Sequence, residues 1–403
     1  MAPESLRGDT ATKRGRLAPA VVLVGLLATV AACSADPEGA ATPTSPSSST
    51  TSMSSSTTPT TQPTFPGVRW DTEDPGRAGL DPTRLEALAA EAEAAGSSCL
   101  VVVKDGKVVV DHAWPGPEAR SREVFSATKS VASTLVGIAE ARGDLDITQS
   151  ASDFIPEWKG TDAEAVTVED ILSNTSGREW DAGTDYNQMA VRAPDKTAFA
   201  ISLGMEARPG EVWAYNNSAI QTLDAVLETA TGTHPSDFVE DVLLEPIGMQ
   251  DSDLRRDSAG NALTFMGLGS TCLDMARFGY LFLRHGDWAG EQVVPADWVE
   301  AATSPSSDLT ASYGYLWWLN RKGRLASAAV ATEGRGGSGV PVGQMLPGAA
   351  ESIYWALGLG DQVVAVIPDE GIVAVRLGDP PPKDRPFGYK ELTAGVLEAA
   401  GSG

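Results

Sequence analysis

Histidine and cysteine are scarce in this chain, with three of each among 403 residues. His112, His234 and His285 stand in no metal-ligating spacing, so no zinc-type site is read from them. No Gly-x-Ser-x-Gly occurs, which leaves a nucleophile-elbow hydrolase without its motif. Basic residues are also few. Thirty Lys and Arg face 54 Asp and Glu, for a net charge of -24 and a pI of about 4.4. With no contiguous basic stretch to neutralise phosphates, nucleic acid is excluded as a partner. No internal repeat of solenoid length is present. What remains is a hydrophobic fraction of 42%, enough for a sizeable core.

The first third of the chain is not uniform. Residues 1–32 read as an export signal: Lys13, Arg14 and Arg16 precede an apolar run, Leu17–Ala32, too short to span a bilayer comfortably. The run ends Val30-Ala31-Ala32-Cys33, which resembles a bacterial lipobox, so Cys33 is the expected lipid attachment and new N-terminus. Residues 33–66 are a Ser/Thr/Pro spacer that cannot bury a core. The folded domain is expected over 67–403. Cys99 and Cys272 are left over; in an exported protein they invite a disulfide, the other reading being two buried thiols.

Within the domain, Asp81-Pro82 opens a helix that closes at Gly96. Cys99–Val103 and Val108–His112 flank Lys104-Asp105-Gly106-Lys107, a hairpin signal. Helical patterns dominate from Ser126 to about Gly248, among them Ile220–Thr231, and Cys272–His285 reads as a further amphipathic helix. Gln362–Ile367 and Gly371–Leu377 are β-rich around Pro368-Asp369-Glu370, and Lys390–Ala400 closes as a helix. The fold class is therefore α/β (α+β). One antiparallel sheet is built from both chain ends, about 67–125 and 260–403, and flanked by the terminal helices. A mostly helical region, about 130–260, is inserted between, with a cleft where the two meet.

The chemistry is read from three stretches. In Val124–Val131, Ser126 precedes Lys129 by three residues at a helix start, placing a hydroxyl beside an amine and near free backbone N–H groups. Val131, Leu135 and Ile138 share one face of that helix, which Gly143 and Asp144 break. Alone, the pair is equally an N-capping Ser and a solvated Lys. In Pro209–Ser218, Tyr215 and Asn217 point to one side of an extended loop. A phenol serves as a proton shuttle if a neighbouring cation lowers its pKa. Their other reading is an aromatic anchor with a capping Asn. Ile171–Trp180 supplies a polar loop with Asn174.

In this order, Ser126-Ala127-Thr128-Lys129, Leu172–Gly177 and Tyr215-Asn216-Asn217 resemble the motifs of the serine β-lactamase and penicillin-binding-protein superfamily. The class C-like branch fits, with similarity to esterase, D-aminopeptidase and 6-aminohexanoate-dimer hydrolase-like serine hydrolases. Gly269–Gly279 and Tyr313–Trp318 resemble further segments of these proteins. The resemblance implies Ser126 as nucleophile, Lys129 and Tyr215 as general base and acid, and no cofactor or metal. It implies Asn217 orienting the acyl part and Asn174 at the rim. An oxyanion would lie between the Ser126 N–H and an N–H near Leu359. Tyr186 is a candidate lid residue, or a plain surface tyrosine, and loop Gly323–Ser352 is expected beside the cleft.

The chain departs from the family at the third motif, since no Lys-Thr-Gly or His-Thr-Gly occurs. If Gly358 takes the glycine place, Ala356 stands where the cation would grip a substrate carboxylate. The expected activity is thus hydrolysis of a neutral amide or ester, outside the cytoplasm, on a small-molecule or peptide-like carbonyl substrate. The alternatives are a non-hydrolytic penicillin-binding or cell-wall sensor, and a D-alanyl-D-alanine carboxypeptidase or class C-like β-lactamase.

Overall fold

The architecture is that of a computed structural model, which describes residues 63–114, 121–329, 331–333 and 341–403. Cys33, the export segment and nearly all of the Ser/Thr/Pro stretch lie outside the described residues.

Helix α1 (Pro82–Ala94) starts as its sequence dictates. Asp81 accepts hydrogen bonds from the Thr83 and Arg84 N–H groups, and Pro82 takes the first position, where no N–H is needed. Leu85, Leu88, Ala89 and Ala92 form its buried stripe. Strand β1 (Ser97–Lys104) turns into β2 (Lys107–Ala113) through Asp105 and Gly106, both with positive φ. Two such residues in succession match the right-handed twist of a hairpin.

The C-terminal third supplies β3 (Trp318–Leu319), β4 (Tyr354–Gly358), β5 (Gln362–Ile367) and β6 (Ile372–Gly378). The sheet order is β2-β1-β6-β5-β4-β3, antiparallel throughout. Its middle seam joins the two chain ends, with Val101 opposite Val375. β5 and β6 are buried along their whole length, because both faces of the sheet are covered. Helix α4 (Tyr389–Ala400) packs beside α1 on one face, where the Trp355 indole N–H donates to Thr393. Helix α3 (Cys272–Leu283) lies on the other face against β1, β5 and β6. Gly279 allows that approach, since a Cβ there would come within 2.6 Å of Val373.

Between β2 and α3 the chain is mainly helical. Helix α2 (Thr128–Arg142) is buried from Thr128 to Ala139 and ends on Gly143 at φ 78°. Short helices follow at Val168–Leu172, Lys196–Ser202, Asn217–Gln221 and Leu223–Thr231. The stretch read as one helix from Ile220 is thus two, meeting at Thr222.

Cys99 of β1 and Cys272 at the start of α3 form a disulfide across 173 residues of sequence, Cα atoms 6.2 Å apart. A loop of that size loses much entropy on cross-linking, so removing the bridge should cost about 3–5 kcal/mol. Thermal unfolding of a Cys99→Ala/Cys272→Ala protein should drop accordingly. Two reactive thiols in the denatured, unreduced native protein would contradict the bridge.

Candidate active site

The chain enters α2 through a tight turn, Phe125–Ala127. Phe125 has φ 49°, a left-handed conformation that costs a non-glycine residue of order 1 kcal/mol or more. Val124 N–H donating to the Leu268 carbonyl at 2.9 Å and Ala127 N–H donating to the Val124 carbonyl hold it. The turn leaves Ser126 half-buried at the base of α2, one helical turn from Lys129.

Lys129 is 1% exposed. Its Nζ lies 2.9 Å from Ser126 Oγ and 2.8 Å from the Phe265 carbonyl oxygen. It also sits over the Tyr215 ring at 4.8 Å and the Phe265 ring at 5.6 Å. Burial disfavours the ammonium and lowers the pKa to about 7, against an opposing pull from Asp185.

Tyr215 closes the group. It is 4% exposed, stacks on Trp318 at 5.7 Å and meets Tyr313 edge-on at 6.1 Å. Burial pushes its phenol well up from the ordinary value, and a hydrogen bond with the Ser126 side chain opposes the rise. This corrects the sequence expectation of a phenol acidified by a neighbouring cation. The neighbour is present, but burial drives Lys129 toward its neutral form, so little cationic charge remains to stabilise a phenolate.

Asn174 is not at the rim. It is 2% exposed, takes φ 58°, and is a buried brace for the Tyr215 loop. Its Oδ1 accepts from Asn216 N–H at 3.2 Å, and its carbonyl accepts from Ala214 N–H at 2.9 Å. A left-handed Asn aims two acceptors at one loop, which a solvated side chain could not do. Asn216 in turn caps the next helix by accepting from Ala219 N–H. Asn217 is also buried, and its Nδ2 donates to Asp185 at 2.6 Å.

Asp185 had no place in the sequence reading. It is 1% exposed and accepts from Asn217 and Ser218, residues 32 and 33 positions away. Its immediate neighbour is Tyr186, the candidate lid residue. The Tyr186 hydroxyl meets the Asn217 side chain and donates to the Ala328 carbonyl at 3.3 Å. Thr332–Glu333 pairs antiparallel with Val212–Trp213, which sets part of loop Gly323–Ser352 beside the second motif.

Gly358 ends β4 against the Ser126 turn: a Cβ there would fall 2.1 Å from the Val124 carbonyl oxygen. This close approach requires glycine. β3 pairs only with Tyr354 and Trp355, so the β4 edge toward Gly358 is open on that side among the described residues. Leu359, 72% exposed, follows in a turn braced from within the sheet. Gln362 donates to the Leu359 carbonyl at 3.1 Å and Arg376 to the Gly360 carbonyl at 2.7 Å. Ala356 is fully buried.

The described residues of the helical side form several cavities. One of about 190 Å³ touches Asn174, Trp180 and Asn216. A groove of about 610 Å³ is lined by Trp158 and Arg178 and includes none of Ser126, Lys129 and Tyr215. Arg178 there donates to the Ala200 and Ile201 carbonyls and so caps the Lys196–Ser202 helix.

An antiparallel sheet from both chain ends with an inserted helical region is the β-lactamase/transpeptidase fold. The chain belongs to the beta-lactamase family, which matches residues 84–391. It is 23% identical over 285 residues to the 6-aminohexanoate-dimer hydrolase of Paenarthrobacter ureafaciens, covering 62% of this chain and 71% of that protein. It is 25% identical to the D-aminopeptidase of Brucella anthropi over 40% of this chain and 33% of that one. With esterase EstB of Burkholderia gladioli the identity is 28%, over 31% and 36%. The chain thus spans about a third of the length of the last two relatives. In structure it resembles a β-lactamase from Mycobacterium bovis, with a TM-score of 0.55 at 17% identity over 79% of this chain and 99% of that one. It also resembles a penicillin-binding protein homologue from Caulobacter crescentus, with a TM-score of 0.54 at 17% identity over 74% and 92%. The protein is a serine hydrolase of this family.

Proposed function

We propose that the protein is an exported, lipid-anchored hydrolase that cleaves a neutral amide or ester through a Ser126 acyl-enzyme. The observation that carries this reading is the buried Lys129 amine 2.9 Å from Ser126 Oγ, with a pKa near 7. A neutral amine there accepts the hydroxyl proton as Oγ attacks the substrate carbonyl carbon. The resulting oxyanion would be met by the Ser126 N–H and an N–H near Leu359. Tyr215, kept protonated by burial, donates its proton to the leaving nitrogen or oxygen and regains one from Lys129. Water then attacks the acyl carbon, giving its proton back through the same pair, and Ser126 is released.

With Gly358 taken as the third-motif glycine, Ala356 stands at the cation position, which supports a substrate without a carboxylate to be gripped. The Cys99–Cys272 disulfide supports an oxidising compartment outside the cytoplasm. Cys33 would supply the anchor, and the Ser/Thr/Pro stretch would hold the domain clear of the membrane surface.

Because Lys129 must be unprotonated, kcat/KM should rise with pH through about 7. A pH profile with a neutral chromogenic ester checks this; a flat profile between about 5.5 and 8.5 would contradict it. The competing sensor reading is separated by a fluorescent penicillin and an ester panel. Ester turnover without stable penicillin labelling supports the hydrolase. Stable labelling without turnover of either compound supports the sensor. Rapid penicillin hydrolysis supports a β-lactamase.

A further inference from the structure

We propose that Asp185 is a positioning residue of the reaction, the buried carboxylate that fixes the Tyr215–Ser218 turn and whose charge favours a proton on the Lys129 amine. The inference rests on the reading of Ser126 and Lys129 given above.

The geometry is specific. Asp185 Oδ2 accepts from Asn217 Nδ2 at 2.6 Å and from Asn217 N–H at 3.2 Å. Oδ1 accepts from Ser218 N–H at 2.7 Å and from Ser218 Oγ at 2.8 Å. One carboxylate thus caps the first turn of the Asn217–Gln221 helix and holds both residues that follow Asn216. Three of the four donors are N–H groups, which can only donate, so the ionised acceptor form fits. Burial raises the carboxyl pKa, and the hydrogen bonds from Ser218 and Asn217 oppose that rise by holding the anion.

The charge is otherwise unanswered. Asp185 is 1% exposed, and none of the ion pairs among the described residues includes it. The four hydrogen bonds offset part of the cost of burying the carboxylate, and no ion pair offsets the rest. The titratable groups it acts on are Lys129 from α2, Tyr215 from the turn and Tyr186 from its own segment. Its sign favours an ammonium at Lys129 and disfavours phenolates at the two tyrosines.

The reaction needs that polarity. When Ser126 Oγ bonds to the carbonyl carbon, its proton moves to Lys129 Nζ, and a positive charge arises on a side chain that is 1% exposed. The Asp185 carboxylate partners that charge without contacting the substrate. The same carboxylate adds a lesser push in the same direction as burial, which keeps the Tyr215 proton in place until the leaving group takes it. Asp185 also ties the Tyr186 segment to the turn, since Tyr186 meets Asn217 as well.

The test is the full chain carrying Asp185→Asn, assayed with a neutral p-nitrophenyl ester across pH about 5 to 9. The expected result is kcat down about 10-fold or more with little change in KM, and the acid limb moved to lower pH by about one unit as the amine loses its counter-charge. An acid limb that stays in place, or an unchanged kcat, overturns the proposal. A role in folding alone would not move the limb. Should Asp185→Asn fail to fold, Ser218→Ala removes one hydrogen bond and keeps the charge. It should lower kcat about 3- to 10-fold and leave the limb in place, whereas an unchanged kcat overturns the positioning role. A Ser126→Ala control separates the two levels. If it remains active, the Ser126 reading itself fails; if it is inactive while Asp185→Asn behaves as wild type, only the Asp185 proposal fails.

Discussion

Ser126→Ala should lose ester turnover by about 10³-fold or more while remaining folded. The substitution removes one oxygen from a half-buried position. The Phe125–Ala127 turn is held by backbone hydrogen bonds, which the change leaves intact. Lys129 keeps its second contact, the Phe265 carbonyl. Stability should therefore shift by no more than about 1 kcal/mol, and the loss of rate can be assigned to chemistry. Steady-state kinetics and a thermal melt on the same two preparations check both halves. Wild-type-like turnover would place the nucleophile elsewhere.

Lys129→Met should be nearly inactive and yet more stable than the natural protein near neutral pH. Without the amine, Ser126 keeps only the Tyr215 phenol, which burial holds protonated and unable to take its proton, and a loss of about 10³-fold is expected. The stability gain follows from linkage. Lys129 has a pKa near 7 in the folded protein, against about 10.4 unfolded. Between these values the unfolded chain binds a proton that the folded one does not, so stability rises with pH across that window. Below about 7 the folded protein carries the full penalty of a buried ammonium, a few kcal/mol. Methionine fills similar space without charge. Denaturant unfolding at pH about 6 and about 10 should show the wild-type slope disappear in the variant. A variant less stable than wild type at the lower pH would show that the amine is held by favourable contacts and not against its burial.

Local rules carried much of the fold. The Asp105-Gly106 hairpin needed only two residues that tolerate positive φ. The start of α1 needed only an Asp before a Pro. Strands β5 and β6 stood out because runs of Val, Ala and Ile are buried on both faces. Ser126 and Lys129 were readable because three residues along a helix is a fixed distance in space. Asp185 was not, because its partners lie 32 and 33 residues downstream and one acidic residue among 54 carries no periodicity. The resemblance alone put Asn174 at the rim, with no local signal for its burial; its left-handed backbone turns it inward to serve another loop. The protonation state of Tyr215 could not be read either. It depends on aromatic neighbours drawn from Trp213, Tyr313 and Trp318, which come together only in the folded chain.

The measurement that tests the central claim most directly is capture of the acyl-enzyme. The protein is mixed with an activated neutral ester, quenched in acid within the first turnovers, digested with trypsin and examined by mass spectrometry. Cleavage after Arg122 and Lys129 releases Glu123–Lys129, a peptide whose one serine is Ser126. The acyl mass is expected on that serine, forming in a burst and disappearing as product accumulates. Turnover with no adduct, or an adduct on any other residue, would contradict it.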